Sequence, residues 1–251
     1  MPQREQPLSG GNVAETVVRV GETVRKPATV ATPSVDAALR HLEAAGFDGA
    51  PRSFGVDERQ RHVLEFIPGT MADAMPPMTE AELHRVGGVI RRLHDLLADF
   101  TPPTDARWEV PIAPDRADLI CHHDLAPWNL VRDGDLWVFI DWDGAGPGSR
   151  LWDLAYAAHG FVGFHATGDP AAEATRLRAL ADGYRLSRVQ GQDMAAMLAA
   201  RVRSMYDLLA DGARTGRQPW ARLFAEGHGD HWGPTADYLR RHQRVWSRAL
   251  A

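Results

Sequence analysis

The stretch ICHHDLAPWNLVRDGDLWVFIDWDGAGPG, from Ile120 to Gly148, decides how this chain is read. Asp133-Gly134 is a two-residue hairpin signal, because glycine adopts the backbone that tight antiparallel turns require. It is flanked by Asn129-Leu130-Val131-Arg132 and by Leu136-Trp137-Val138-Phe139-Ile140, two strand-like runs. A hairpin here folds the chain back, so Asn129 and Asp141, at its open ends, become neighbours. Asp124 lies just upstream, in the loop that feeds the first strand. Three oxygen-bearing side chains, Asp124, Asn129 and Asp141, are therefore expected on one rim. Such oxygens suit a hard divalent cation, and Mg2+ is usually held by one or two carboxylates plus substrate phosphates. Asn129 and Asp141 supply those ligands, and Asp124 is left as base or orienter for an incoming hydroxyl. A single loop Asp is more often a cap or turn former, and Asp133 and Asp135 are read that way. The joint pattern of hairpin and flanking acids is harder to dismiss.

Outward from this segment the chain divides in two. Towards the N-terminus, Val17, Val18 and Val20 follow a Gly10-Gly11-Asn12 turn. Gly21-Glu22 makes a second turn into Thr23-Val24-Arg25-Lys26, so an antiparallel meander is expected. Residues 34–45 place Val35, Ala38, Leu39 and Leu42 on one helical face, with Ser34 as N-cap and Gly46 as stop. Strands return at 52–56 and 62–67, ending at Pro68-Gly69. After a loop at 71–78, Thr79-Glu80-Ala81-Glu82 forms a capping box. It opens a helix whose stripe is Leu83, Val86, Ile90, Leu93 and Leu97. A proline-rich loop covers 101–114, and helices are expected at 151–162, 170–184, 187–211 and 235–249. The predicted fold class is α+β in two lobes: a small β-rich lobe over 1–68 and a larger, mostly helical lobe over 69–251. The connector lies near 64–70, and ligands often bind in the cleft between such lobes.

Composition removes several function classes. The chain has 251 residues, 44% of them hydrophobic and 24% charged, which is ordinary for a soluble globular protein. No apolar run is long enough for a membrane span, and MPQREQPLSGGN has no apolar leader segment. The single cysteine, Cys121, allows neither an internal disulfide nor zinc-finger spacing. The expected compartment is the cytoplasm. A net charge of −5 argues against nucleic acid as partner and suits a cationic small molecule. Lysine is nearly absent: Lys26 stands against 27 arginines.

At HHDLAPWN (122–129), FIDWDGAGPG (139–148) and LWDLAYA (151–157) the chain resembles the aminoglycoside phosphotransferase family, the antibiotic-kinase branch of the protein-kinase-like fold. LHDL at 93–96 is similar to that family's helix before the catalytic loop. His122-x-Asp124-x4-Asn129 has the spacing of the kinase catalytic loop, and Asp141 stands where the metal-binding Asp follows it. The resemblance implies that Asp124 is the catalytic base and that Asn129 and Asp141 bind Mg2+, with Asp143 a further acid near the metal. Asp153 matches an Asp that braces the catalytic loop, and His122 is read as a brace too. Lys26 matches the lysine that contacts the nucleotide phosphates, with Asp36 or Glu43 as its acidic partner and Asp36, nearer the helix start, favoured. Gly10, Gly11 and Asn12 would form the loop over the phosphates, although they are not a full G-x-G-x-x-G. Glu65, Phe66 and Ile67 match the hinge whose backbone would bond adenine.

The function these readings imply is Mg2+-dependent transfer of the γ-phosphate of ATP or GTP to a hydroxyl of a small, cationic molecule. An antibiotic is favoured, either an aminoglycoside or a basic cyclic peptide of the tuberactinomycin kind. Candidate acids for that substrate are Asp182, Asp207, Asp211, Glu226 and Asp230. No nucleic-acid or membrane partner is expected. Alternatives are a choline, homoserine or fructosamine type of kinase, a nucleotide-binding pseudokinase, and a metal hydrolase built on His122, His123 and Asp124. His123 is read as exposed, and Trp128 as packing rather than substrate stacking.

Overall fold

The computed structural model describes residues 4–8 and 17–251. The Gly10-Gly11-Asn12 turn lies outside the described residues. The N-terminal region forms an antiparallel sheet from β1 (Gln6–Pro7), β2 (Val18–Val20), β3 (Thr23–Pro27), β4 (Ser53–Val56) and β5 (Arg61–Glu65), in the order β1-β2-β3-β5-β4. The Gly21-Glu22 turn joins β2 to β3, with Gly21 at a φ of +61°. In the register of β3 against β5, Lys26 sits opposite His62.

Helix α1 (Thr32–Ala44) crosses between β3 and β4 and buries Val35, Ala38, Leu39 and Leu42. It starts at Thr32, two residues before the expected N-cap. Pro33 is tolerated in the first turn, where no N–H bond is lost. Ser34 is thus inside the helix, and its hydroxyl accepts the Arg107 N–H at 2.8 Å, fastening the proline-rich loop.

Beyond Glu65 follow β6 (Thr70–Met71), α2 (Glu80–Ala98) and β7 (Leu119–Cys121). The expected capping box is present. The Thr79 hydroxyl accepts the Glu82 N–H at 3.3 Å, and the Glu82 carboxylate accepts the Thr79 N–H at 2.8 Å. All five residues of the α2 stripe are fully buried. The hairpin forms from β8 (Leu130–Asp133) and β9 (Leu136–Phe139), with β6 on its far side, and β7 pairs with β10 (Gly146–Gly148). Its two loop residues are Gly134-Asp135, one position later than expected, because Asp133 pairs with Leu136. Gly134, at a φ of +54°, takes the first loop position, where a left-handed backbone is needed.

The rest is helical: α3 (Arg150–Ala158), which continues as a π-helical turn over His159–Gly163, then α4 (Pro170–Tyr184) and α5 (Arg188–Thr215). There follow α6 (Trp220–Ala225), α7 (His228–Arg241) and α8 (Gln243–Ala249). The single helix expected over 235–249 is two helices. Pro234 lies within α7 rather than before it, and the break falls at His242. No helix among the described residues is long and apolar enough to cross a membrane. The architecture is α+β, with a small antiparallel sheet region and a larger helical one.

Candidate active site

The hairpin brings its two open ends together. Ile140, just past β9, donates its N–H to the Asn129 carbonyl at 2.8 Å, which closes the open end of the ladder. Asp141 follows with a φ of +62°, a conformation costly for most residues but accessible to Asp. Asn129 donates its amide to the Asp124 carboxylate at 2.7 Å and to the Asp124 carbonyl at 3.0 Å.

Asp124 is a carboxylate whose charge is disfavoured. Burial raises its pKa above the ordinary value and the Asp141 charge adds to this, while bonds from Tyr156 and Asn129 and the neighbouring His122 work the other way. A base poised upward in this way is better matched to neutral pH than an ordinary Asp. Tyr156, on α3, reaches Asp124 through its phenol, and its own pKa is pushed well up by burial and by that carboxylate. The sequence reading missed Tyr156, although its place three residues after Asp153 on one helix put it within reach of the same loop.

The loop that carries Asp124 is held from behind. Asp153 is fully buried and accepts the backbone N–H groups of His122 and His123 at 3.1 and 2.8 Å, besides His94 at 3.1 Å. Burial opposes its charge, yet the His94 bond and the adjacent histidines hold its pKa at about 2. His122 accepts the Asp124 N–H on Nδ1 and donates from Nε2 to the Ile140 carbonyl, so it spans both ends of the site. His123 is buried, not exposed. Its backbone is left-handed, and Nε2 bonds the carbonyls of Gly146 and Pro147. Both imidazoles are thus committed to backbone groups. Arg201, on the buried stripe of α5 with Met194 and Leu198, donates to the His123 carbonyl at 3.2 Å and lies 4.3 Å from the Tyr156 ring centre. An arginine within an apolar helical stripe was the signal that could have found it.

Lys26 is 6% exposed and reaches across from β3 to Asp141 at 3.2 Å and Asp143 at 2.7 Å. Burial alone would lower its pKa, but the two carboxylates raise it. Asp143 is itself raised, by burial and by Asp141, against the pull of Lys26. The expected pairing of Lys26 with Asp36 or Glu43 is absent from the described contacts. Asp36 accepts instead from Ser53 at 2.5 Å and Arg40 at 2.9 Å, and Ser53 bonds His62, the strand neighbour of Lys26. Asp36 is thus two side chains removed from Lys26, through Ser53 and His62.

Of the hinge residues, Phe66 donates its N–H to Glu22 at 3.0 Å and carries Arg19 over its ring. Glu65 is engaged by Arg52, and Ile67 is half-buried beside them. Trp128 is 38% exposed and packs edge-on against Tyr156. Among the acids expected to meet a cation, Asp182 and Asp211 are each paired with an arginine of their own helix, and Glu226, at the end of α6, is paired with Arg222. Residues 151–251 carry 13 Arg against 10 Asp and Glu, so the negative charge of the chain resides in residues 1–150.

Asp141, Asp143 and the Asn129 amide form an oxygen-rich set of the kind Mg2+ takes. The Lys26 ammonium lying between the two carboxylates marks the place as one that accepts a cation.

Comparison with known proteins agrees with this chemistry. Residues 106–197 match the phosphotransferase enzyme family. The chain is 36% identical over 199 residues to the trifolitoxin immunity protein of Rhizobium leguminosarum bv. trifolii, covering 73% of this chain and 75% of that one. Its fold matches an amicoumacin kinase in complex with AMP-PNP, Ca2+ and Ami at a TM-score of 0.69, with 12% identity over 97% of this chain and 89% of that chain. A microcompartment-associated aminopropanol kinase matches at 0.66, with 16% identity over 99% of this chain and 95% of that chain. The chain belongs to the aminoglycoside phosphotransferase family, and its chemistry is phosphoryl transfer to an alcohol.

Proposed function

We propose that the chain transfers the γ-phosphate of ATP or GTP to a hydroxyl of a small antibiotic and so inactivates it. The observation that carries this reading is the convergence of Asp124, Asn129, Asp141 and Asp143 on one rim, with Lys26 reaching in from the facing sheet. In this reading Asp124 accepts the proton of the acceptor hydroxyl as its oxygen attacks the terminal phosphorus, and the nucleoside diphosphate leaves. Lys26 contacts the phosphates as a compact point charge. Asn129, Asp141 and Asp143 would hold Mg2+, which when bound offsets phosphate charge. Residues 1–68 serve the nucleotide, with Glu65, Phe66 and Ile67 beside the base, and residues 69–251 serve the acceptor. Gly10, Gly11 and Asn12 belong to the nucleotide side by sequence alone. The cytoplasm is the compartment this reading takes.

Similarity to an immunity protein supports a protective role. A cationic acceptor has less support. Three of the acids that would receive it already have arginine partners, and the helical region has an excess of arginine. One observation favours a second reading, an amino-alcohol metabolite as acceptor. Trp128 is 38% exposed and packs on the Tyr156 ring that bonds Asp124, and an exposed aromatic face attracts ammonium groups.

The test is a nucleotide-consumption screen with product mass analysis, over cationic, neutral and anionic hydroxylated antibiotics and amino alcohols. One compound is expected to gain a single phosphate. With Asp124→Ala the kcat for that compound should fall by several orders of magnitude. Nucleotide binding without transfer to any member would point to the pseudokinase, and a near-wild-type rate in Asp124→Ala would remove Asp124 as base.

A further inference from the structure

Four of the eleven histidines gather where the π-helical end of α3 meets α7, and none takes part in the chemistry above: His159, His165, His228 and His231. His159 and His231 face each other with Nε2 atoms 2.9 Å apart. His165 lies beside His231, with ring centres 5.6 Å apart, and His228 stands one turn earlier on the same face of α7.

We propose that His159 and His231 bind a nitrogen-preferring transition-metal ion such as Zn2+, Ni2+ or Cu2+, with His165 as third donor once its ring has turned toward them. Two nitrogens at the usual ~2.0–2.1 Å from one ion lie about 2.9 Å apart at a right-angled arrangement and slightly further apart at a tetrahedral one. The observed separation falls at the near end of that span without any movement.

The ring of His159 is fixed for this role. It is 4% exposed and stacks on Trp232 with centres 4.2 Å apart. It also opens the π-helical turn, a local rewinding of the helix that recurs at functional sites. His165 holds Thr167 through Nδ1, which leaves its Nε2 as the remaining donor atom, and it is exposed, so a change of rotamer costs little.

The donor set separates this site from the first one. Imidazole nitrogens select against Mg2+, and the carboxylate oxygens of Asp141 and Asp143 select for it. The proposal therefore stands whichever acceptor the enzyme takes.

The experiment uses the untagged full chain, stripped with chelator and titrated with ZnCl2 or NiCl2 by calorimetry in excess Mg2+. One equivalent is expected to bind in the micromolar range or tighter. His231→Asn, at a half-buried position, should weaken binding about tenfold or more, and His165→Ala should weaken it less. Thermal unfolding checks that each variant is folded. Independently of any variant, Cu2+ or Ni2+ should broaden the ring-proton NMR signals of His159 and His231 in the wild type before those of His41 or His84. Absence of binding, unchanged affinity in folded His231→Asn, or broadening that spares this pair would each overturn the site.

Discussion

Asp124 shows how one side chain's surroundings set its use. Burial and Asp141 raise its pKa, and the Tyr156 phenol is foremost among the groups that restrain the rise. Removing that phenol with Tyr156→Phe should therefore move the acid limb of the kcat/KM profile to higher pH. A lost hydrogen bond to a charged group, about 1.5–3 kcal/mol, corresponds to about one to two pH units. A profile that kept its limb in place would show that Tyr156 only packs. Lys26 gives a second prediction at this scale. Lys26→Ala should raise the nucleotide KM and leave Asp141 and Asp143 facing each other without a cation, and Lys26→Arg should cost much less, since charge matters more here than shape. Equal, small effects from both would remove Lys26 from the phosphate site. That Asn129 and Asp141 would be neighbours was legible in the sequence, because a hairpin fixes which ends meet. The contacts that Tyr156 and Arg201 make, and the relay from Asp36 through Ser53 to His62, were not, because they depend on how a helix is rotated against the loop or sheet it covers.

At the scale of the elements, amphipathic stripes and caps were readable where local chemistry suffices, as in the Thr79–Glu82 box and the α2 stripe. Positions that depend on a partner were less so. The hairpin turn slipped by one residue, since the register follows pairing along the whole ladder and not the turn dipeptide alone. The C-terminal helix divides at His242, a position with no strong breaker residue. Helices α2 and α4 supply a prediction at this scale. Gly183 packs on the backbone of His84, and Gly87 packs on the Leu180 carbonyl, closer than any Cβ can stand. Helix propensity alone would make Gly183→Ala stabilising by about 1 kcal/mol. The crossing reverses that sign, because the added methyl meets main chain rather than a movable side chain. Destabilisation by about 1–3 kcal/mol is expected, read as a lower midpoint in urea. A more stable Gly183→Ala would mean that the two helices are not held this close.

Across the whole molecule, neutral histidines are built into both the sheet and the helical parts. Burial, together with the Lys26 charge, keeps His62 near 4 in the sheet, and burial takes His159 to about 3 between α3 and α7. An unfolded chain would bind protons at both positions from about pH 6.5 downward. Between that pH and the folded values the unfolded state therefore holds more protons, and stability falls as the pH falls. Stability is lost progressively as pH drops through this window, by on the order of 5 kcal/mol for the two rings together by pH 4. Carboxylates act in a lower window. Asp153, held at about 2, gives up its contribution only below about pH 4. Acid unfolding should thus begin well above the carboxylate range and affect both regions of the molecule, because His62 and His159 lie in different ones. Denaturant midpoints measured from pH 7 to pH 4 test this. His62→Gln or His159→Gln, if folded, should flatten the decline in that interval, and a wild-type midpoint that held steady down to pH 4 would show that these rings titrate normally in the folded protein.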